Sequence, residues 1–179
     1  PMPIVRDYKR AYEGDKGPNT GSMGSYSLPS HTLPFLEKQD IDIALNVLKQ
    51  TIEALYKETG YRYQGILYGQ FMKTKQGVYL IEFNVRFGDP EAMNVLKLQE
   101  TNFNEVCFSI IDRQLKKVSF EQLATVCVYV VPKGYPVNPV ENSEITLSPS
   151  IDHSDIYYAS VYRKEGKIFS TRSRSIGII

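Results

Sequence analysis

The pattern of apolar and polar positions predicts helices and short strands in mixed order. Between 37 and 58, Ile41, Ala44 or Leu45, Leu48, Ile52 and Leu55 recur at steps of three and four, the spacing of one helix face, and Gly60 follows as a stop. Residues 65–74 and 78–87 read as two strands of a hairpin closed by Lys75, Gln76 and Gly77, with Gly77 able to take the positive φ of a three-residue loop. In the second strand Tyr79, Ile81, Phe83, Val85 and Phe87 form an apolar core face. Val78, Leu80, Glu82, Asn84 and Arg86 occupy the other. A three-residue loop sets Gln70 opposite Glu82 and Tyr68 opposite Asn84.

Asp89, Pro90 and Glu91 predict a helix start running to about Glu100, with Asp89 as cap and Pro90 in the first turn. Asn102 with Glu105 resembles a capping box for a helix through Lys117, its apolar stripe Val106, Cys107, Ile110, Ile111 and Leu115. Behind residue 120 the pattern changes to short strands: a buried one over 124–132, then EITLS, IYYASVYR, KIFSTR and SIGII, with a hairpin turn at Glu165 and Gly166. Residues 4–13 read as a short strand entering a loop. Four glycines and three prolines between 14 and 34 predict a long loop. The chain therefore reads as α+β, an antiparallel sheet with helices over 1–120 and a small β-rich domain over 121–179.

Composition narrows the classes. With 179 residues, 42% hydrophobic and 23% charged, the chain has the make-up of a globular protein, and a net charge of +1 points to neither nucleic acid nor an anionic membrane. No apolar run approaches a membrane span and no signal-peptide pattern opens the chain. Cys107 and Cys127 lack metal or redox spacing and read as free thiols of a reducing compartment. The apolar ends, PMPIV and SIGII, look like cuts through strands of a longer protein.

The chemistry concentrates on Glu82, Asn84 and Arg86. Two hard oxygens at alternate strand positions suit Mg²⁺, and a guanidinium next in the row suits a phosphate. Leu80 and Val78 on that face suit a purine ring. A merely solvated polar face is the competing reading, and the pattern alone leaves both standing. The glycine-rich stretch 14–24 is neither a P-loop nor a dinucleotide fingerprint, and taken alone it fits a surface loop. His31 and His153 lack partners at catalytic spacing. Arg172 and Arg174 read as a solvated strand edge.

Taken together, DYKR (7–10), GDKGPNTGSMGSYS (14–27), GILYGQFM (65–72) and IEFNVRFGDPE (81–91) resemble the phosphoribosylamine–glycine ligases, or glycinamide ribonucleotide synthetases, of the ATP-grasp superfamily. The resemblance runs over about 4–118. VVPKGYP and the strands behind it resemble the small C-terminal domain of that family more loosely. It implies the C-terminal half of an ATP-grasp domain in a cytoplasmic purine-biosynthetic ligase. There ATP converts glycine to glycyl phosphate, and the amine of 5-phosphoribosylamine attacks it.

Residue by residue, the resemblance makes Glu82 and Asn84 ligands of Mg²⁺ or Mn²⁺ and, with Leu80, contacts of ATP. It makes Arg86 the catalytic cation on the transferring phosphoryl or the glycine carboxylate. Asn19, Thr20, Gly21, Ser22, Met23 and Gly24 would approach the phosphoribosylamine. Asp89 would bind substrate and, with Glu91, shape the adjoining pocket; Lys9 and Arg10 are further anion contacts. Two positions depart from the family pattern. Ser22 replaces a glycine of GPNTGGMG, at on the order of 1 kcal/mol if φ must be positive. Gln70 replaces a small residue. The resemblance further implies an N-terminal domain and a first ATP-grasp half ahead of Pro1, so that this chain holds half a site. The rivals are another ATP-grasp carboxylate–amine ligase and a non-catalytic binding module of the same fold.

Overall fold

The computed structural model describes residues 1–179 and contains three antiparallel sheets and three helices. In chain order the strands are β1 (Arg6–Tyr12), β2 (Lys16–Ser27), β3 (Tyr68–Thr74), β4 (Gly77–Asn84), β5 (Thr125–Val130), β6 (Glu144–Ile145), β7 (Ile156–Tyr158), β8 (Val161–Lys164), β9 (Lys167–Ser170) and β10 (Ile176–Ile178). The helices are α1 (Lys38–Thr59), α2 (Glu91–Lys97) and α3 (Phe103–Ile111). The main sheet has the order β1-β2-β5-β10-β7, β3 and β4 form a separate hairpin, and β6-β9-β8 form a small third sheet. No helix is long and apolar enough to cross a membrane.

The glycine-rich stretch is not a loop. β2 runs through it and lies between β1 and β5. Its glycines serve close approach of strands: a Cβ on Gly24 would stand 2.4 Å from the carbonyl oxygen of Cys127 on β5. The same sheet joins β1 and β2, ahead of residue 120, to β5, β7 and β10 behind it. The boundary expected at 120/121 is thus bridged by backbone hydrogen bonds.

α1 follows its apolar spacing. Its half-buried positions Ile41, Ala44, Val47, Leu48, Thr51 and Ile52 form one stripe over the hairpin. Glu37 and Asp40 make a reciprocal capping box, and Gly60 ends the helix at φ 74°. Lys73 of β3 pairs with buried Asp40, which holds that carboxyl below its ordinary range. The hairpin loop has two residues rather than three, since Thr74 pairs with Gly77. A bulge between Gln70 and Phe71 on one side and Leu80 and Glu82 on the other then restores Gln70↔Glu82 and Tyr68↔Asn84.

Helix ends differ from the expectation for identifiable reasons. Pro90, not Asp89, is the cap of α2, because the Asp89 carboxylate is occupied elsewhere, by Tyr129 and Arg174. α2 stops at Lys97, and Leu98 is buried. α3 starts at Asn102, whose side chain accepts from the Asn104 N–H, and stops at Ile111. Phe108, Ile111 and Leu115 are exposed, so nothing packs a longer helix down. β5 is buried on one side only: Cys127 and Tyr129 face α2, while Val126, Val128 and Val130 stay exposed. The core beneath α2 and α3 comprises Val95, Leu98, Val106, Cys127, Tyr129 and Ile176. Asn94 ties α2 to the sheet through bonds to the carbonyls of Ser25 and Thr125.

Candidate active site

Side chains paired across an antiparallel ladder lie on one face, so the register decides which residues share a surface. Gln70, Met72, Tyr79 and Glu82 belong to one face of the hairpin, joined by Tyr68 and Asn84. Phe71, Lys73, Val78, Leu80 and Phe83 belong to the other, which α1 covers. The bulge therefore separates Leu80 from Glu82. The expected apolar neighbour of a nucleotide points under α1, and Val78 does the same. In their place Met72 and Tyr79, 53% and 52% exposed, flank the polar residues. The expected core face fails for the same reason: Tyr79, Ile81 and Val85 are exposed, and only Phe83 packs beneath the helix.

On the open face the Asn84 Nδ2 donates to Glu82 Oε1 over 2.9 Å. Glu82 Oε2 and Asn84 Oδ1 have no protein partner. One charged and one neutral hard oxygen on adjoining residues of one face, without a soft ligand, fit Mg²⁺ or Mn²⁺ that keeps water and phosphate on its remaining positions.

Below this pair the hairpin meets β1 and α2. Gln70 Nε2 donates to Asp7 Oδ2 at 3.3 Å, and Lys9 Nζ lies 2.7 Å from the same oxygen. Lys9 also donates to the Gly21 carbonyl at 3.2 Å, and Thr20 Oγ1 donates to the Lys9 carbonyl at 2.9 Å. Tyr68 donates its hydroxyl to Glu91 Oε1 at 2.6 Å. Burial pushes both groups up: Glu91 above the ordinary carboxyl range, against the pull of the Tyr68 bond, and Tyr68 further still, helped by the Glu91 charge. Gly88 leaves room for this contact, since a Cβ there would stand 2.4 Å from Glu91 Oε2.

The predicted substrate segment divides. Thr20 and Gly21 meet Lys9, while Asn19 pairs across to Arg10 and is exposed. Arg10 itself donates to the Gly17 carbonyl. Met23 is half-buried, and Ser22 and Gly24 are buried within the sheet. Ser22 has φ 150°, and its hydroxyl bonds both the N–H and the carbonyl of Gly24 at 3.1 Å. These bonds hold a serine where the family pattern has a glycine.

β4 ends at Asn84, so Arg86 does not continue the row of Glu82 and Asn84. Its guanidinium donates to the Phe87 carbonyl and lines an open cleft of ≈ 480 Å³ with Asp89, Met93, Tyr129 and Tyr158. Asp89 there accepts from Tyr129 and from Arg174, which tie its carboxylate to the cleft wall. Arg174, expected at a solvated strand edge, is instead drawn into the cleft wall. It is 15% exposed, lies 4.4 Å over the Tyr129 ring and reaches Asp89 at 2.7 Å and the Ser22 carbonyl at 3.4 Å. Gly21 gives it space: a Cβ there would come within 3.1 Å of the guanidinium. Arg172 is solvated as expected and pairs with Glu141, but it lies in the bend between β9 and β10 rather than on a strand edge.

A family model described as phosphoribosylglycinamide synthetase, ATP-grasp (A) domain, matches residues 1–92. The chain is 52% identical over 180 residues to a phosphoribosylamine–glycine ligase of Methanosarcina barkeri, covering 99% of this chain and 41% of the relative. It is 48% identical over 182 residues to the ligase of that name from Methanocaldococcus jannaschii, again at 41% of its length. The crystal structure of a phosphoribosylamine–glycine ligase from Thermotoga maritima superposes with a TM-score of 0.81 at 33% identity, over 99% of this chain and 43% of that one. The chain thus spans about two fifths of the length of the relatives it matches.

Proposed function

The chain belongs to the phosphoribosylglycinamide synthetase ATP-grasp family, and from that premise we propose that it supplies one wall of an ATP-dependent ligase joining glycine to 5-phosphoribosylamine. The observation that carries this is the pair Glu82 and Asn84, joined by a hydrogen bond on the open face of the hairpin, each with one oxygen that has no protein partner. They would hold Mg²⁺ or Mn²⁺ against the ATP phosphates, and the ion when bound neutralises phosphate charge.

Each neighbouring group has a matching task. Met72 and Tyr79, rather than Leu80, offer the apolar surface beside the phosphates for the purine. Arg86 faces the cleft with a cation free to meet the transferring phosphoryl or the carboxylate it reaches. The acyl phosphate of glycine then meets the amine of phosphoribosylamine, and orientation of the two supplies most of the rate. Thr20 and Gly21, fixed to Lys9, would form the rim at this point. Ser22, Gly24 and Asp89 support that rim and the cleft wall.

The test uses the complete protein. Glu82→Gln keeps the shape of the side chain and the amide contact of Asn84 but removes the charge. Glycine- and phosphoribosylamine-dependent ADP formation is expected to fall by about two to three orders of magnitude, with partial recovery at raised Mg²⁺ or Mn²⁺. Unchanged turnover would refute the metal assignment.

A further inference from the structure

Asp7 carries an imbalance that the roles above leave unused. Its side chain is 8% exposed. Oδ2 receives two donors, the Lys9 ammonium and the Gln70 amide. Oδ1 is buried and has no partner. Buried carboxylate oxygens are ordinarily filled, and one left empty is costly.

Its position is informative. Asp7 pairs with Ser25, and Ser25 with Cys127, so Asp7 is on the α2 side of the main sheet, where Glu91 is also buried. Gln70 alone connects it to the open face: its amide nitrogen bonds Asp7, and its backbone register sets it opposite Glu82. The carbonyl oxygen of Gln70 has no protein partner. The unfilled acceptor is therefore one side chain away from the hard-oxygen pair. An ammonium has three donors and no acceptor, which suits this set of oxygens.

We propose that Asp7 Oδ1, with the Gln70 carbonyl oxygen, accepts the α-ammonium of the amino-acid substrate, so that this pair of oxygens selects an amino acid over a carboxylate without an amine. The inference rests on the ligase reading. The substrate carboxylate lies towards Glu82, Asn84 and the ATP phosphates, and the ammonium towards β1. Gln70, half-buried and held through one 3.3 Å bond, is the group that gives way to admit it.

The experiment compares glycine with glycolate, its hydroxyl counterpart, as carboxylate substrate for ADP formation by the complete protein. Asp7→Asn keeps an oxygen for Lys9 and Gln70 but loses the charge. It is expected to raise KM for glycine at least 50-fold, to leave KM for ATP within 3-fold, and to reduce the preference for glycine over glycolate by the same factor as the KM change. An unaltered preference, or glycine, glycolate and ATP weakened alike, overturns the inference and leaves Asp7 as the anchor of Lys9. If Asp7→Asn does not fold, Asp7→Glu carries the test: a raised glycine KM with a reduced preference for glycine over glycolate supports the inference, and an unchanged glycine KM or an unaltered preference overturns it. Wild-type protein that forms no ADP in response to glycine overturns the ligase reading and this inference together.

Discussion

Glu91 is the residue at which burial and ionisation oppose each other most directly. It is 6% exposed at the first position of α2, and burial holds its pKa above the model-compound value of 4.5 despite the Tyr68 hydroxyl. The folded chain therefore binds the Glu91 proton more tightly than the unfolded chain does. Its contribution to stability is fully present below the unfolded pKa and is lost as pH rises through the folded one. Glu91→Gln keeps an oxygen for Tyr68 and cannot ionise. It is expected to melt higher than wild type at pH 7.5, with the advantage gone at pH 4, by thermal denaturation at both values. A variant that is no more stable at pH 7.5 than at pH 4, relative to wild type, would mean that the Tyr68 bond outweighs the burial. That Glu82 and Asn84 share one face was legible in the sequence because alternation along a strand is a local property. Asp7 and Arg174 were not, because each is defined by a partner far along the chain: Gln70 for one, Asp89 and Ser22 for the other.

At the scale of elements, the legible parts were those whose signals are periodic. α1 declares itself by spacing, capping box and terminal glycine, and the hairpin by paired runs around Gly77. The two-residue loop and the compensating bulge are not written in that pattern, and together they moved Leu80 off the expected face. β2 was illegible because glycine as a breaker and glycine as a point of close strand approach look alike in one dimension. The distinction is measurable. Gly24→Ala would set a methyl 2.4 Å from a backbone oxygen of β5, which has no flexible end to move aside, and so would force β2 from its neighbour. A loss of about 3 kcal/mol or more is expected by urea unfolding. Gly60→Ala meets open space but keeps φ 74° at the end of α1, and about 1 kcal/mol is expected there. Equal losses in the two variants would show that β2 can shift away from β5 at no more than the cost of one strained residue.

For the whole molecule the decisive quantity is surface. The chain exposes 12007 Å², about a third more than the ~8,800 Å² of a compact monomer of its mass. Part of the excess lies on the open face of the hairpin, where Met72, Tyr79 and Ile81 are each more than half exposed beside Glu82. A nucleotide placed there would be covered from one side, whereas ligand sites that bind firmly enclose about 70–90% of the ligand. Glu82 and Asn84 would still offer a metal two oxygens, but a cation held by two ligands on an exposed strand gains little over its hydrated state. Residues 1–179 alone are therefore expected to bind MgATP no more tightly than the millimolar range, with isothermal titration as the measurement. Micromolar binding by this chain would mean that the face folds over its ligand without a second wall. The cluster of Gln70, Asp7 and Lys9 beneath the hairpin would then be the floor of a complete site rather than of a half.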